Sequence, residues 1–309
     1  MNPLRWTASA IAALVVAGCG TADVSPDRLP RFVAPSGPAP RIALVLGSGG
    51  PRGFAHIGVL KALEDAGIKP DLIVGSSVGA MVGAIYACGT NARDLERMAY
   101  QINVLEFFEL RMLGGKLPSG DMVRKYVNEN VHGEPIEKLA TSFAAGATRL
   151  SDRKLAIFNH GDTGLAVQAS AASPGQFEPV MIGTDSYVDG DEASPVPIHA
   201  ARELGARFVI AVDVSAYAQS TPPNVPQEWV DKDARRAKQV LAEAPEADIM
   251  IHPDIGYFAG QNEEYRRRVI AVAESATRDK IPAIRLALER AGISPQPAIV
   301  RTPSGDTAR

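Results

Sequence analysis

The sequence predicts an α/β three-layer domain with a mainly parallel central sheet. Residues 42–46, 72–74 and 208–212 are continuous apolar runs, the pattern of strands buried on both faces. The first two runs each break at a glycine-rich corner and restart with helical spacing, over residues 55–66 and 78–88. Strand, loop, helix, strand, loop and helix in that order form a βαβα unit, which brings both loops to the carboxyl edge of a parallel sheet, where ligands bind. A length of 309 residues with 46% hydrophobic content supplies a sizeable core. The formal charge of −3, with no basic patch interleaved with aromatics, gives no footprint for nucleic acid, and none is expected as a partner. No internal repeat is present.

The N-terminus reads as a processing segment. Arg5 gives a positive start, residues 8–16 are a short apolar run, and Val16-Ala17-Gly18-Cys19 places small residues before a cysteine. This resembles a bacterial lipoprotein lipobox, with residues 1–18 as signal peptide and Cys19 as the lipidated first residue of the mature chain. Gly20 in place of an aspartate then implies an outer-membrane lipoprotein facing the periplasm, held to the membrane by its N-terminal lipid. The alternative is a plain secretory signal cleaved near Ala17, since the apolar run is too short to span a bilayer. Residues 19–40 carry Pro26, Pro30, Pro35, Pro38 and Pro40 and read as a semi-extended tether with a reach of up to roughly 60 Å. The folded domain is expected over residues 41–293, with a polar tail over 294–309. With Cys19 acylated, Cys88 is left as the other cysteine of two, so no disulfide framework is expected.

The first strand ends in Gly47-Ser48-Gly49-Gly50-Pro51-Arg52-Gly53. A dinucleotide fingerprint fails, because counting from Gly47 and Gly49 puts Arg52 where the third glycine belongs, and no Lys-Ser or Lys-Thr pair makes a Walker loop. What remains is an oxyanion hole, in which backbone N–H groups of side-chain-free residues face a developing negative charge. Arg52 either contacts a phosphate or braces the loop. The second corner, Gly75-Ser76-Ser77-Val78-Gly79, has the spacing of a nucleophile elbow with Ser77 at its centre. The plainer alternative is a βα turn in which Ser76 or Ser77 caps the helix.

Beyond the elbow, residues 91–100 read as a helix, and the aromatic-rich stretch 104–113 as a core-facing helix or a lipid-facing flap. Strands are expected at 142–150 and 154–159 around a turn, and a small helix at 165–172. Tyr187-Val188-Asp189-Gly190-Asp191 is a short strand ending in an acid at a glycine turn. Asp189 is the candidate base, provided burial raises its pKa; otherwise this is an ordinary Asp-Gly turn. Further on come a strand at 207–213, a charged helix at 231–243 whose Arg235, Arg236 and Lys238 form a solvated face, and a last strand at 248–253 with a structural His252. Two amphipathic helices, 265–276 and 279–291, complete the cover of the sheet. No His, Cys and carboxylate grouping has metal-site spacing, so neither metal nor cofactor is expected.

Together the motifs resemble the patatin-like phospholipase family: Gly49-Gly50-Pro51-Arg52-Gly53, Gly75-Ser76-Ser77-Val78-Gly79, the segment 169–180, and Asp189-Gly190, in that order. The resemblance implies a patatin-like sandwich, a Ser77–Asp189 dyad without histidine, an oxyanion loop built from Gly49, Gly50, Arg52 and Gly53, and hydrolysis of lipid acyl esters. Asp191 departs from it, since many relatives carry a second glycine there. Two rivals stand beside this reading. One is a Ser77, Asp189, His199 triad in α/β-hydrolase order. The other is a catalytically silent, lipid-anchored binding or envelope-assembly module of the same fold. His56 is expected to pack against the elbow helix. Headgroup, chain length and oligomeric state are not legible.

Overall fold

The computed structural model describes residues 24–103, 106–107 and 117–294. The expected signal peptide, Cys19, most of the aromatic stretch 104–113 and nearly all of the tail lie outside those residues. The strands β1 (Ile42–Leu46), β2 (Leu72–Ser76), β3 (Ser142–Arg149), β4 (Leu155–Phe158), β5 (Val180–Ile182), β6 (Asp185–Asp189), β7 (Phe208–Val212) and β8 (Ile249–Ile251) form one sheet. Its order is β5-β6-β3-β2-β1-β7-β8, with β4 also on β3. Within that order the run β3-β2-β1-β7-β8 is parallel. The pairs β3–β4, β3–β6 and β5–β6 are antiparallel.

Both faces are covered, as the apolar runs require. Along β1, Ile42, Leu44 and Leu46 enter a large core on one face while Ala43 and Val45 enter a smaller one on the other. The large core is closed by α1 (Ala55–Asp65), α2 (Val78–Ala87), α3 (Ala92–Gln101), α4 (Asp121–Asn130), α5 (Thr163–Ser170) and α8 (Glu263–Arg290). The smaller core is closed by α6 (Ile198–Glu203), with Val240 of α7 (Gln227–Glu243).

Four features differ from the sequence expectation. The two terminal helices are one, α8, which runs through Pro282. Thr277, which falls in the gap expected between them, is buried and donates its hydroxyl to the Ala273 carbonyl at 2.7 Å, so its own polar group is satisfied within the helix. The helix α4 and the short strand β5 stand where no element was expected. Helix α7 begins at Gln227, one turn earlier than expected, directly after Pro226, a residue suited to precede a helix start. Finally, residues 24–33 are not a free tether. Pro26–Arg28 form a 3-10 turn, Arg28 donates to the Gly133 carbonyl at 2.9 Å, and Arg31 pairs antiparallel with His160. Val33 exchanges hydrogen bonds of 2.8 Å each way with the Asn159 side chain. Backbone groups at 31–33 thus find partners on the body, which an extended tether would leave to water.

Candidate active site

The register of β3 brings the two candidate catalytic residues together. Residues 145 and 146 pair with both β2 and β4, and residues 147 and 148 with both β4 and β6. β2 and β6 therefore lie end to end on the same edge of β3. Gly146 pairs with Ser76 and the next residue, Ala147, pairs with Asp189. The strand leading to the elbow stops where the strand carrying the acid arrives. Gly190 is needed at this junction, because a Cβ there would lie 2.3 Å from the Gly146 carbonyl oxygen and 2.6 Å from Ser76 Oγ.

Ser77 takes φ 55° and ψ −124°, a strained conformation for a non-glycine residue and the one a nucleophile elbow imposes. The strain is over-determined by its neighbours. Its N–H donates to Ser170 Oγ at 2.9 Å, and Ser170 donates in turn to the Gly146 carbonyl at 2.6 Å. Helix α2 starts at Val78 and leans directly on the end of β1: a Cβ on Gly79 would sit 2.1 Å from the Leu46 carbonyl oxygen. Ser77 Oγ donates to Asp189 Oδ2 at 2.8 Å across 112 residues of chain. Both residues are buried.

Asp189 has the electrostatics of a base. Burial, and then the nearby Asp191 carboxylate, push its pKa up to about 7, against the pull of the Asp191 N–H, the Ser77 hydroxyl and the Arg236 charge. The Asp191 N–H reaches Oδ1 at 2.9 Å, so the two carboxylate oxygens are separately held and the one on Ser77 cannot rotate away. Thr148 Oγ1 donates to the Asp189 carbonyl at 2.7 Å and the Asp189 N–H donates to the Ala172 carbonyl at 3.0 Å.

The glycine loop borders the same cleft. Gly50–Phe54 form a 3-10 turn leading into α1. The Arg52 N–H is used inside that turn, donating to the Gly49 carbonyl at 3.1 Å, while Gly49 and Gly50 have no backbone hydrogen-bond acceptor for their N–H groups among the described residues. The Arg52 guanidinium donates to the Tyr257 carbonyl, which ties the loop to the segment before α8. Of the two roles open to Arg52, bracing is the one its contacts fill. Under the loop, the fully buried His56 donates from Nε2 to the Gly47 carbonyl at 2.8 Å, and burial lowers its pKa to about 4, so it stays neutral.

Ser77, Asp189, Gly49, Gly50, Arg52 and Gly53 all line one cavity of about 470 Å³. One end is apolar, walled by Met81, Val82 and Ile85 of α2, Met98 of α3 and Tyr126 of α4. The other end carries Ser48, Asp191, Lys232 and Arg236, which cluster beside the acid turn. No histidine lines it among the described residues. His199 is on the surface, its Nδ1 3.0 Å from Glu246 Oε2, and His252 sits in a structural cluster, hydrogen-bonded to the Ser215 carbonyl and stacked 3.9 Å from Tyr217. The triad order in the sequence is therefore not a triad in space. Cys88 is a half-buried free thiol away from the cleft.

Two groups at the site were not expected. Ser170 falls within the segment 169–180 that carried the resemblance, yet nothing in its sequence marks it as the acceptor for the elbow N–H. Arg236, expected on a solvated face, is buried instead, with Nε 2.8 Å from Asp191 Oδ1 and Nη2 3.0 Å from Ser48 Oγ. Its signal was its spacing: it precedes the buried Val240 by one helical turn, on the inward face of α7.

Comparison with known proteins agrees with this geometry. An uncharacterized NTE family protein of Mycobacterium tuberculosis is 32% identical over 207 residues, 64% of this chain and 56% of that protein. The human patatin-like phospholipase domain-containing protein 6 is 33% identical over 183 residues, 57% of this chain and 13% of its own. This chain thus spans little more than half the length of the first relatives it matches. Among solved structures, VipD from Legionella pneumophila superposes with a TM-score of 0.54 at 13% identity, over 83% of this chain and 70% of that one, a likeness of fold. The family model for patatin-like phospholipases matches residues 44–202, from β1 through the glycine loop, elbow and acid turn into α6, and the chain belongs to that family.

Proposed function

We propose that this protein hydrolyses acyl esters of lipids through a Ser77–Asp189 dyad. The observation that carries the reading is the buried 2.8 Å hydrogen bond from Ser77 Oγ to an aspartate whose pKa is raised to about 7. A carboxylate with an ordinary pKa is a poor match for a serine hydroxyl; one raised to about 7 is a better base and is still partly ionised near neutrality. As Ser77 Oγ bonds to the ester carbonyl carbon, its proton passes to Asp189 Oδ2, and the carbonyl oxygen becomes an oxyanion facing the N–H groups of Gly49 and Gly50. The positive end of α2 adds to that stabilisation. Collapse expels the alkoxide, which takes the proton back from Asp189 and leaves an acyl-serine. Water then repeats the sequence, giving its proton to Asp189 and releasing the fatty acid. The Arg52 N–H is taken up inside its own turn, and a side chain on Gly53 would run into Val78, so both residues shape the loop. The apolar end of the cavity suits an acyl chain and the polar end the remainder of the ester.

A lipid on Cys19 fits the same reading, supported by the Val16-Ala17-Gly18-Cys19 pattern. It would hold the domain at the bacterial envelope, on the periplasmic side of the outer membrane, with residues 24–33 fixing where the chain leaves the body.

Labelling with a fluorophosphonate and turnover of p-nitrophenyl acyl esters test the hydrolase reading. Both are expected in the parental protein and absent in Ser77→Ala, with turnover down by ~10⁴-fold or more. Labelling that survives the substitution, or no turnover of any acyl ester by the parental protein, overturns it. Metabolic labelling with alkynyl palmitate, lost in Cys19→Ser, tests the anchor separately.

A further inference from the structure

The polar end of the cavity holds a buried ion pair that no step of the hydrolysis uses. Arg236 reaches out of α7 between the two loops of the site. Its Nε lies 2.8 Å from Asp191 Oδ1, and its Nη2 donates to Ser48 Oγ at 3.0 Å and to the Ser48 carbonyl at 3.3 Å. Ser48 Oγ in turn donates to Asp191 Oδ1 at 2.5 Å. Ser48 is the residue before Gly49, and Asp191 is the residue whose N–H holds Asp189 Oδ1. The triangle thus joins the oxyanion loop to the acid turn. Arg236 and Ser48 are both more than nine-tenths buried, and an unpaired charge there would be costly, so the cluster stands or falls together.

We propose that Arg236 is a positioning residue for the hydrolysis: through Ser48 and Asp191 it locks the glycine loop to the acid turn, and it neutralises Asp191 beside the base. This rests on the hydrolase reading. Asp191 brings a negative charge next to a carboxylate that must ionise, and without a counter-charge it would hold Asp189 protonated at neutral pH. Arg236 offsets part of that penalty while its fork fixes the spacing between base and oxyanion donors. The other charged groups at this end are Lys232, whose Nζ is 3.9 Å from Asp191 Oδ2 and half-exposed, and Arg52, which is turned to the Tyr257 carbonyl. The Ser77 hydroxyl faces Asp189 from the elbow.

The two members of the pair act on Asp189 with opposite signs, and that separates this role from a merely structural one. Arg236→Met leaves Asp191 uncompensated, so the acid limb of kcat/KM for a p-nitrophenyl ester is expected to move to higher pH by about one unit. Asp191→Asn leaves Arg236 uncompensated and is expected to move the limb to lower pH by a similar amount. Arg236→Lys keeps the charge without the fork, so the limb is expected to stay near the parental position while kcat falls. It also serves if the methionine variant does not fold. Carboxyl carbon NMR titration of Asp189 in the same four proteins reads the shifts without turnover, so an inactive parental protein would refute the hydrolase reading and still leave the pair measured. Shifts of the same sign in the arginine-to-methionine and aspartate-to-asparagine variants, no shift in either, or a lysine variant with parental kcat, overturns the proposal.

Discussion

The two walls of the cleft were built by different routes. One wall is local: Ser77, the glycine loop and Asp189 each sit at the end of a strand, and each is announced by glycines within two residues of it. The other wall is distant: Arg236 meets Ser48 across 188 residues, and its partner Asp191 is a departure from the motif around it. In the proposed hydrolysis the first wall supplies the atoms that touch the ester, and the second supplies charge and spacing. Short backbone motifs survive as patterns because backbone geometry demands particular residues at fixed offsets. A buried ion pair demands only that two side chains meet, and many positions on a helix satisfy that.

Asp189→Asn breaks the local wall most directly, and among substitutions that leave the nucleophile in place it should have the largest effect. The amide cannot accept the serine proton, and kcat/KM is expected to fall by ~10³–10⁴-fold, read with a p-nitrophenyl ester. Stability should move the other way, with a definite pH dependence. The folded-state pKa is raised from 3.8 to about 7, so between those values the folded chain holds a proton that the unfolded chain has released. The Asp189 contribution to parental stability is therefore full below pH ~4 and declines as pH rises toward ~7, where the buried carboxylate must charge. Asn carries no such cost. At pH 8 the variant is expected to melt a few degrees above the parental protein, and at pH 4 the gain should disappear. A thermal melt series over pH checks this; equal melting temperatures at pH 8 would mean the carboxylate is not buried as charge.

This contrast also explains what was legible in the sequence. The parallel half of the sheet was readable because β1, β2 and β7 are unbroken runs, buried at every position. The antiparallel half was less so: β5 has three residues with an exposed Met181 in the middle, too short for a period to show. Helix α4 does carry a stripe at Val123, Tyr126 and Val127, but polar and charged residues outnumber it, and its start follows Gly120 in a left-handed turn rather than a side-chain cap. The dyad was legible as two motifs, whereas its cause, β2 and β6 meeting end to end on β3, depends on pairing register and is invisible along the chain. Arg236 was misplaced because an arginine in a charged helix reads as solvated unless the burial of Val240 is already known.

The two ends of the cavity can be separated by substrate. Val82 lines the cavity from α2, one helical turn beyond Val78 at the elbow. Val82→Trp fills the apolar end without touching the dyad, so long acyl chains should be excluded and short ones kept. A p-nitrophenyl palmitate is expected to lose ~10–200-fold in kcat/KM, the scale on which hydrophobic pockets discriminate, while the butyrate changes by less than about threefold. Equal losses on both esters would place the acyl chain elsewhere.

The smallest effect is expected at His199, and it is the one that distinguishes dyad from triad. The sequence offers Ser77, Asp189 and His199 in hydrolase order, but the imidazole is more than half exposed and is claimed by Glu246 and Glu203 on the outer side of α6. Those contacts raise its pKa, led by the Glu246 hydrogen bond, and they engage both ring nitrogens on the surface rather than in the cleft. An exposed ion pair of this kind contributes little to stability. His199→Ala is therefore expected to keep kcat/KM within about twofold of the parental value, where a triad base would cost ~10⁴-fold. Steady-state turnover of a single ester at pH 8, where the parental Asp189 is ionised, decides between them, because a loss of even a hundredfold would require the imidazole to reach Ser77 by a path that its present partners on Glu246 and Glu203 do not allow.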